Sequence, residues 1–584
     1  MMMKTLLLSA AAALAVTHAA AAQPRTTLYV HAQSGGGNGQ TWASAFPHVQ
    51  QALAVANAQT DIWIATGEYR PDSGSGLRTS RFLVPSGTRL YGGFAGGESL
   101  LTQRDPVANP VVLSGDLGIP GDISDNCYRV VVLQPGPEQT QLHGLVISGG
   151  NADGAASPDD SGGGLYSDGA RVLLDSCTVS GNIAKFGGGV FVRNAPGVFV
   201  RSTFRMNTAL QDGGGAVVRG GGTFTDCIFD GNNAVFGGAL LTCCQATRID
   251  RCTMRGNFAN KGGAVYVPVG ACTIVASSFI GNNAVEGGAI GSLAPGTTIV
   301  NCRFGSNSAQ NGGAVHTVAG ASIANSVFTR NFASFNGGGV FTSTQSSSIV
   351  NCSLWNNTAL TNGGGLYVAS ASPVLRNSVL WDNNDSGGKG QNAQVTRVSG
   401  GLTIGHCCIQ NWTGSLGGVG NFSADPEFVD AAGLDGVPGT ADDDLSIGAG
   451  SPCIDAGDRT AVPPDTADID GDGNTAEPLP QDLKGNPRFV DDPLTPNTGV
   501  GPAPHVDIGA YEYVPGLCPG DANGDNLVNG ADLSVLLSQF GLLVFPPGLG
   551  ADYNGDGVVN GADLSILLAQ WGNSCGIELA AAGY

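Results

Sequence analysis

The sequence predicts an all-β fold, a parallel β-solenoid followed by a small helical module. Three observations predict the solenoid. An asparagine recurs at steps of 24 to 26 residues, glycine makes up 92 of 584 residues, and the segments between the asparagines carry β-residues without a helical period. Self-similarity at one fixed period is the signature of stacked units, each of which buries its apolar face against the next.

The asparagine column defines the repeat. Its members are Asn182, Asn207, Asn232, Asn257, Asn282, Asn307, Asn331, Asn357 and Asn383. Five residues before each comes Cys or Ser, and two residues later a large apolar residue, as in Cys227 and Phe229. This alternation predicts a strand with one buried face. We expect the asparagines to form a structural ladder, in which each amide donates to the next carbonyl, because unpaired buried amides are costly.

The residue before each Cys or Ser is expected to point outward from the strand. Arg201, Asp226 and Arg251 occupy this position in successive units. Stacked side chains of alternating charge favour one register, so these three are expected to pair along the outer face. Glycines between the strands are expected to supply the corners. The cysteines of the repeat are interpreted as small core residues.

The first 22 residues predict an export signal. Lys4 precedes the apolar run of residues 6–16, and the small residues 19–22 supply a cleavage site. The apolar run is too short to span a bilayer, and no later segment predicts a transmembrane span. We therefore expect a secreted protein, located outside the cell or at its surface.

Residues 23–140 are predicted to form an N-terminal cap and the first coils. Strands are expected at residues 28–30, 61–65, 89–94 and 111–115. The segment 46–58 carries apolar residues at helical spacing, which predicts a short amphipathic helix that closes the open end of the solenoid.

Regular coils are predicted over residues 141–397, and shorter final coils with a C-terminal cap over residues 398–513. Within the second segment, residues 468–474 resemble a calcium loop by their alternating aspartates, but no acid stands at the twelfth position. A polar turn is the alternative interpretation of this stretch.

The repeats also resemble a known family. The phrase Phe-x-x-Asn at Phe204–Asn207 and Phe279–Asn282, followed by Gly-Gly-Ala-Ile or Gly-Gly-Ala-Val, is similar to the repeats of polymorphic outer membrane proteins. Residues 26–513 resemble secreted bacterial β-helix proteins that end in an anchoring module. The resemblance implies a right-handed parallel β-helix, with about 25 residues in each coil, displayed at a bacterial surface.

The strongest chemical motif lies near the C-terminus, where one acidic loop is repeated 31 residues later. Its candidate calcium ligands are Asp521, Asn523, Asp525, Leu527, Asn529 and Asp532, then Asp552, Asn554, Asp556, Val558, Asn560 and Asp563. Side-chain oxygens at positions 1, 3, 5 and 12 and a backbone carbonyl at position 7 suit one Ca²⁺, with position 9 binding directly or through water. Two Asx-rich turns would not explain the duplication or the helical run after each loop.

The duplicated segment, residues 517–575, resembles a type I dockerin with EF-hand-like calcium loops. The resemblance implies Ca²⁺ as cofactor and a cohesin-like or other surface docking partner. Gly530–Ala531 and Gly561–Ala562 stand where cellulosomal dockerins often carry the polar residues that contact cohesin. Cys518 and Cys575 flank the segment and are a disulfide candidate, although connectivity is not readable from sequence.

Charge excludes some classes of partner. The net charge is −21, so nucleic acid and anionic membranes are disfavoured. The ionisable residues of the central coils are scattered, and no catalytic residue is assigned.

Three functions remain. The first is a scaffold, adhesin-like or glycan-binding rod tethered through the dockerin-like module. The second is a polysaccharide lyase or O-glycosyl hydrolase that carries the module, with its site in the insertions at residues 70–80 and 153–161. The third is a structural layer component whose neighbours are copies of itself.

Overall fold

The computed structural model describes residues 25–72, 74–440, 442–493, 495–514, 520–523, 527–542, 551–554 and 556–572. The predicted export signal, residues 1–22, and the residues Cys518, Asp525 and Cys575 lie outside the described residues. Within the described part of the chain, no helix is long and apolar enough to cross a membrane.

The described chain winds into a right-handed parallel β-solenoid, which confirms the predicted all-β solenoid. Three parallel sheets of 14, 12 and 13 strands run along it. Sheet 1 consists of Thr26–Val30, Thr60–Ala65, Arg89–Phe94, Gly136–His143, Ala170–Asp175, Gly197–Val200, Gly222–Thr225, Thr247–Asp250, Cys272–Val275, Thr297–Val300, Ala321–Ala324, Ser348–Val350, Val374–Arg376 and Thr403–Gly405. Sheet 2 consists of Phe82–Val84, Val131–Leu133, Leu165–Asp168, Val190–Arg193, Ala216–Val218, Leu240–Thr242, Val265–Val267, Ile290–Ser292, Val315–Thr317, Val340–Thr342, Leu366–Val368 and Val395–Arg397. Sheet 3 consists of Gly67–Tyr69, Val111–Ser114, Val146–Ser148, Thr178–Ser180, Thr203–Arg205, Ile228–Asp230, Thr253–Arg255, Ser278–Ile280, Arg303–Gly305, Val327–Thr329, Ser353–Trp355, Val379–Trp381 and Cys408–Ile409.

Shorter elements complete the description. Two small parallel sheets lie beside the three long ones, formed by Asn151–Ala152, Ile183–Phe186 and Thr208–Asp212, and by Ser308–Asn311, Phe332–Asn336 and Thr358–Ala359. Phe428–Asp430 pairs antiparallel with Asp444–Ile447. The helices are α1 (Val49–Val55), α2 (Gln391–Gln394), α3 (Gly530–Gln539) and α4 (Gly561–Ala569), with 3-10 turns at Trp42–Ser44, Leu101–Gln103 and Arg459–Ala461.

The core is continuous from the N-terminal cap to the last coil. Large apolar side chains point inward in register, and the rings of Phe204 and Phe229 stack at 4.6 Å between centroids. Phe304 and Phe328 repeat the contact at 4.6 Å. The strand alternation predicts these stacks because in-register parallel pairing places equivalent residues one above another.

The asparagines lie in one buried column. Each Nδ2 donates to the Oδ1 of the next asparagine at 2.8–3.1 Å, from Asn182 to Asn383. Each Oδ1 from Asn207 onward also accepts the backbone N–H of the preceding asparagine. Gln394 in α2 ends the column, since its Oε1 accepts from Asn383 Nδ2 at 2.8 Å. The buried amides therefore have partners at both ends.

The corners differ from the expectation. The residue before each Cys or Ser adopts a left-handed conformation, as at Arg201 (φ 47°), Asp226 (φ 54°) and Arg251 (φ 49°). It forms the corner itself rather than extending the strand. Arg251 pairs with Asp226 at 2.9 Å as expected, but Arg201 pairs with Asp175 at 2.6 Å. Asparagine tolerates this conformation, and Asn301, Asn325, Asn351 and Asn377 occupy four of these corners.

The N-terminal end is closed by α1, which confirms the predicted helix over a shorter range. Val49, Ala52 and Leu53 are buried and join the solenoid core. Val55, which the helical pattern included, is exposed because α1 ends there. Burial of the other three covers apolar surface at the open end of the first coil.

Residues 427–513 form an arm that lies along the side of the solenoid. Its backbone carbonyls accept from side chains of several coils: Ala467 from Arg248, Gln481 from Asn325 and Asp458 from Asn377. The corner asparagines from Asn325 to Asn377 are consequently buried. The arm thus reaches back over coils that precede it in the sequence, instead of stacking only on the last one.

Candidate functional site

The two acidic loops lead into helices by the same geometry. Asn529 and Asn560 cap α3 and α4, and each side-chain oxygen accepts the backbone N–H two residues on at 2.7 Å. Asp532 and Asp563 complete a capping box, because each accepts the N–H of the cap residue at 2.8 Å. Positions 9 and 12 of each loop are therefore fixed by the helix that follows.

The twelfth-position carboxylates also close the loops. The second oxygen of Asp532 accepts the N–H of Asn523 at 3.2 Å, and that of Asp563 accepts the N–H of Asn554 at 3.1 Å. Both aspartates are completely buried. In each loop one carboxylate consequently bridges position 3 and the start of the helix.

The second loop gathers the remaining candidate oxygens. Asp552 at position 1 accepts the N–H groups of Asp556 and Gly557 at 3.2 and 2.9 Å. Asp556 Oδ2 accepts from the side-chain amides of Asn554 and Asn560. The carbonyl of Val558 at position 7 accepts from Asn560 at 2.9 Å. Positions 1, 3, 5, 7 and 9 are thus linked to one another by hydrogen bonds.

The first loop repeats this arrangement where it is described. The carbonyl of Leu527 accepts from Asn529 Nδ2 at 3.0 Å, as Val558 does from Asn560. Asp521 and Asn523 are described, whereas Asp525 lies outside the described residues. The shared hydrogen bonds at positions 3, 7, 9 and 12 make the two loops structural copies.

The two loops pack side by side. Tyr553 donates its hydroxyl to the carbonyl of Gly520 at 3.2 Å. Burial raises the pKa of Tyr553, and the carboxylates of Asp532, Asp521 and Asp563 raise it further. Leu536 of α3 and Leu567 of α4 are buried in one apolar cluster. Acids from both loops therefore surround one tyrosine.

The charge of the loops is one-sided. Residues 517–575 contain six aspartates and no lysine or arginine. Burial raises the pKa of Asp563, and the neighbouring Asp556 adds to the rise. Oxygen ligands of net negative charge are what Ca²⁺ prefers. The donor types among the described residues of both loops are those that Ca²⁺ prefers.

One group of ionisable residues pairs between neighbouring coils. Lys261 pairs with Glu286 at 2.8 Å on the next coil, and His316 Nδ1 lies 3.6 Å from the same carboxylate. Burial lowers the pKa of His316. This group was not predicted from the sequence, although Lys261 and Glu286 are 25 residues apart and so occupy equivalent positions.

The N-terminal insertions come together. Arg78 pairs with Asp153 at 2.7 Å, and Arg129 pairs with Asp159 at 2.6 Å. Arg78 Nε also donates to the carbonyl of Asn126 at 2.7 Å. We call these residues the N-terminal loop cluster. Here acids and bases of three loops meet at one place on the solenoid.

Three carboxylates of the arm are buried away from solvent. Asp507, Glu512 and Asp482 are buried around Arg488, whose Nε lies 3.7 Å from Glu512. Burial raises the pKa of Asp507 to about 7 and that of Glu512 well above its usual value. Perturbed pKa values also mark catalytic groups, but these side chains have almost no exposed surface. Their role is to hold the arm together.

No family model matches the sequence, and no curated protein matches it. Among solved structures, "Crystal structure of pectate lyase Pel9A" is a neighbour with 14% identity and a TM-score of 0.34, covering 84% of this chain and 97% of that chain. A rhamnogalacturonan lyase has 13% identity and a TM-score of 0.17, covering 70% of this chain and 91% of that chain. Likenesses at this level do not bear on the activity of this chain.

Proposed function

We propose that the protein is a secreted, surface-associated β-helix rod, of scaffold or adhesive type, held in place by a calcium-binding dockerin-like module. The observation that carries the proposal is the duplicated loop, in which Asp532 and Asp563 each close a loop and cap a helix. A duplicated ligand set followed by paired helices is the arrangement of a calcium-dependent docking module. Such a module needs a partner, either cohesin-like or on the cell surface.

The solenoid supports the rod half of this proposal. Regular coils without long insertions stack from Leu165 to Val395, and the arm covers part of the outer faces of sheets 1 and 3. Phe258 lies at an isolated bridge and Phe335 in the small parallel sheet that contains Phe332–Asn336, and each exposes half of its surface. Exposed rings beside amide side chains are suited to stack on sugar rings, which makes a polysaccharide the favoured ligand of the rod.

Retention at the cell surface tests the proposal. The full chain and a chain ending at residue 514 are compared in the surface fraction of the producing cells, with calcium and with EGTA. We expect the full chain to be retained in calcium and released by EGTA, and the shortened chain to be released in both. Equal retention of the two chains would contradict a docking role for the dockerin-like module.

A second function, a polysaccharide lyase or O-glycosyl hydrolase, is favoured by the N-terminal loop cluster. Arg129 is largely buried there, and its Nε has no hydrogen-bond partner. An arginine placed beside acidic loops is the kind of group that binds the carboxylate of an acidic sugar. The full chain is assayed with calcium on acidic and neutral polysaccharides for new reducing or unsaturated ends. Turnover that disappears in Arg129→Lys but persists in Arg255→Lys, an exposed arginine of sheet 3, would establish this function instead.

A further inference from the structure

A second group of acids lies on the arm, away from the two C-terminal loops. Carboxylate oxygens of Asp465, Asp470 and Glu477 lie within 4.8 Å of one another. Those of Asp468, Asp470 and Asp472 do the same, so Asp470 belongs to both groups. We call residues 465–477 the arm loop.

The buried member of this group lacks a partner. Asp465 is completely buried, and one of its oxygens accepts the N–H of Ile469 at 2.9 Å. Its other oxygen, Oδ1, is buried without a hydrogen-bond partner, and so is Oε1 of Glu477. A buried carboxylate oxygen without a donor is costly, and an ion is one of the few groups that satisfies it.

The arm loop contains no positively charged residue that could offset its acids. Residues 465–477 contain five acids and no lysine or arginine. Arg248 of the solenoid approaches, but its Nη1 donates to the carbonyl of Ala467 and its Nη2 lies 3.4 Å from Asp250. Burial raises the pKa of Asp465, and the charges of Asp470 and Asp468 add to the rise. The carboxylates therefore repel one another unless a cation lies between them.

We propose that the arm loop binds one Ca²⁺ through the carboxylates of Asp465, Asp470 and Glu477. Ca²⁺ takes several oxygen ligands in flexible geometry, whereas Mg²⁺ requires a near-ideal octahedron. Asp468 and Asp472 flank the ion from the exposed side of the loop. The twelfth-position acid of the C-terminal loops is absent here, and Asp465 and Glu477 take its place by closing the loop from both ends.

The ion fixes the arm to the rod. Ala467 and Leu479, on either side of the acidic turn, pack in one apolar cluster with Val275, Val300 and Ala324 of sheet 1. A cation that draws Asp465 and Glu477 together also holds these two apolar residues against the solenoid. Calcium at this site therefore stabilises the docked arm, independently of any docking partner.

The test measures calcium bound to the full chain in a background that silences the C-terminal loops by changing positions 1 and 12 of both: Asp521→Asn and Asp532→Asn, with Asp552→Asn and Asp563→Asn. Equilibrium dialysis is expected to show one equivalent of bound Ca²⁺. That equivalent should be lost in Asp465→Asn and in Asp470→Asn, the second of which changes an exposed residue and leaves the packing intact. Asp230→Asn, which removes an aspartate paired with Arg255 on the solenoid, is the matched control and should retain it.

A second readout follows the arm itself. Limited proteolysis of the arm should be slower with calcium than with EGTA, and Asp470→Asn should remove the difference. The proposal is overturned if the silenced background binds no calcium while its circular dichroism matches that of the native chain. It is also overturned if Asp470→Asn retains the bound equivalent, or if Mg²⁺ displaces Ca²⁺ at equal concentration. Because the C-terminal loops are silenced throughout, none of these outcomes depends on the dockerin-like module.

Discussion

At the scale of single residues, each asparagine of the ladder serves three neighbours. Asn257 Oδ1 accepts two hydrogen bonds from Asn232, and its Nδ2 donates to Phe229 and Asn282. Replacement with alanine leaves these groups buried without partners. We expect Asn257→Ala to lower the free energy of unfolding by about 2–5 kcal/mol, because each unsatisfied group costs about 1–3 kcal/mol. Urea unfolding followed by circular dichroism measures it.

Asn283 is the matched control for this prediction. It lies one residue after the ladder position, is exposed, and donates to Ser308 Oγ at 3.1 Å. Asn283→Ala should change the free energy of unfolding by less than about 0.5 kcal/mol, as exposed substitutions usually do. Similar losses of unfolding free energy in the two variants would show that the buried column contributes no more to stability than an exposed hydrogen bond does.

The loop aspartates allow a second prediction at this scale. Asp563→Asn keeps a side-chain oxygen for the cap of α4 but removes the charge offered to calcium. We expect the second loop to lose at least about tenfold in calcium affinity, or about 1.4 kcal/mol, with the helix retained. Isothermal titration calorimetry of the full chain measures this. Asp556→Glu, which keeps the charge, should retain more of the affinity than Asp563→Asn.

Much of the residue-level pattern was predictable and some was not. The ladder and the inward stacks follow directly from the repeat, because parallel pairing in register places equivalent residues together. The left-handed corners were missed because Arg201 and Arg251 carry side chains that normally avoid positive φ. The asparagines at equivalent corners were the available signal. Tertiary pairing across coils decides the conformation here.

At the scale of elements, the arm has a built-in dependence on pH. Burial raises the pKa of Asp507 to about 7, while Glu512 and Asp455 lie close to it and Arg488 opposes the rise. Its ordinary pKa is near 3.8, so the folded arm binds more protons than the unfolded arm between these values. The contribution of protonated Asp507 to the stability of the folded arm is complete below pH 3.8 and is lost as the pH rises through about 7.

The predicted loss of arm stability with rising pH can be measured directly. The melting temperature of the arm should fall between pH 5 and pH 8, by roughly 4–8 °C for each kcal/mol lost. Asp507→Asn should flatten this profile, because the amide does not titrate. Glu512 also has a raised pKa, so a smaller slope remains in the variant. If the melting temperature of Asp507→Asn depends on pH as steeply as that of the native chain, a group other than Asp507 titrates in this range.

The arm also shows what an element-by-element prediction omits. Residues 398–513 lack the repeat, so their sequence carries no periodic signal of where they pack. The contacts that place them run over long sequence distances, as from Arg248 to Ala467 and from Asn325 to Gln481. The acidic arm loop was visible as a motif. The burial of Asp465, on which the proposed calcium site depends, requires the docking of the arm on the solenoid.

At the scale of the whole molecule, the coils are interchangeable units. Deletion of residues 208–232 removes one complete coil and joins Asn207 to residue 233 in register. We expect the shortened chain to fold, with an unchanged circular dichroism spectrum, because the coils on either side of the deletion can pair in the same register. Deletion of residues 208–219, about half a coil, should prevent cooperative folding, since it shifts every later strand. If both deletions fold equally well, register between coils is not what the repeat enforces.

The ladder gives the rod a polar axis. Peptide dipoles in neighbouring strands largely cancel, whereas the ladder amides all face the same way. Every Oδ1 from Asn207 onward points toward the N-terminal cap. Every Nδ2 donates one hydrogen toward the last coil, where Gln394 receives the final bond, and the other to a backbone carbonyl of the preceding coil. Hydrogen bonds aligned in series polarise one another. The oxygen ends of the ladder amides therefore face the N-terminal cap and their N–H ends face the last coil, so the two ends of the rod differ in electrostatic potential.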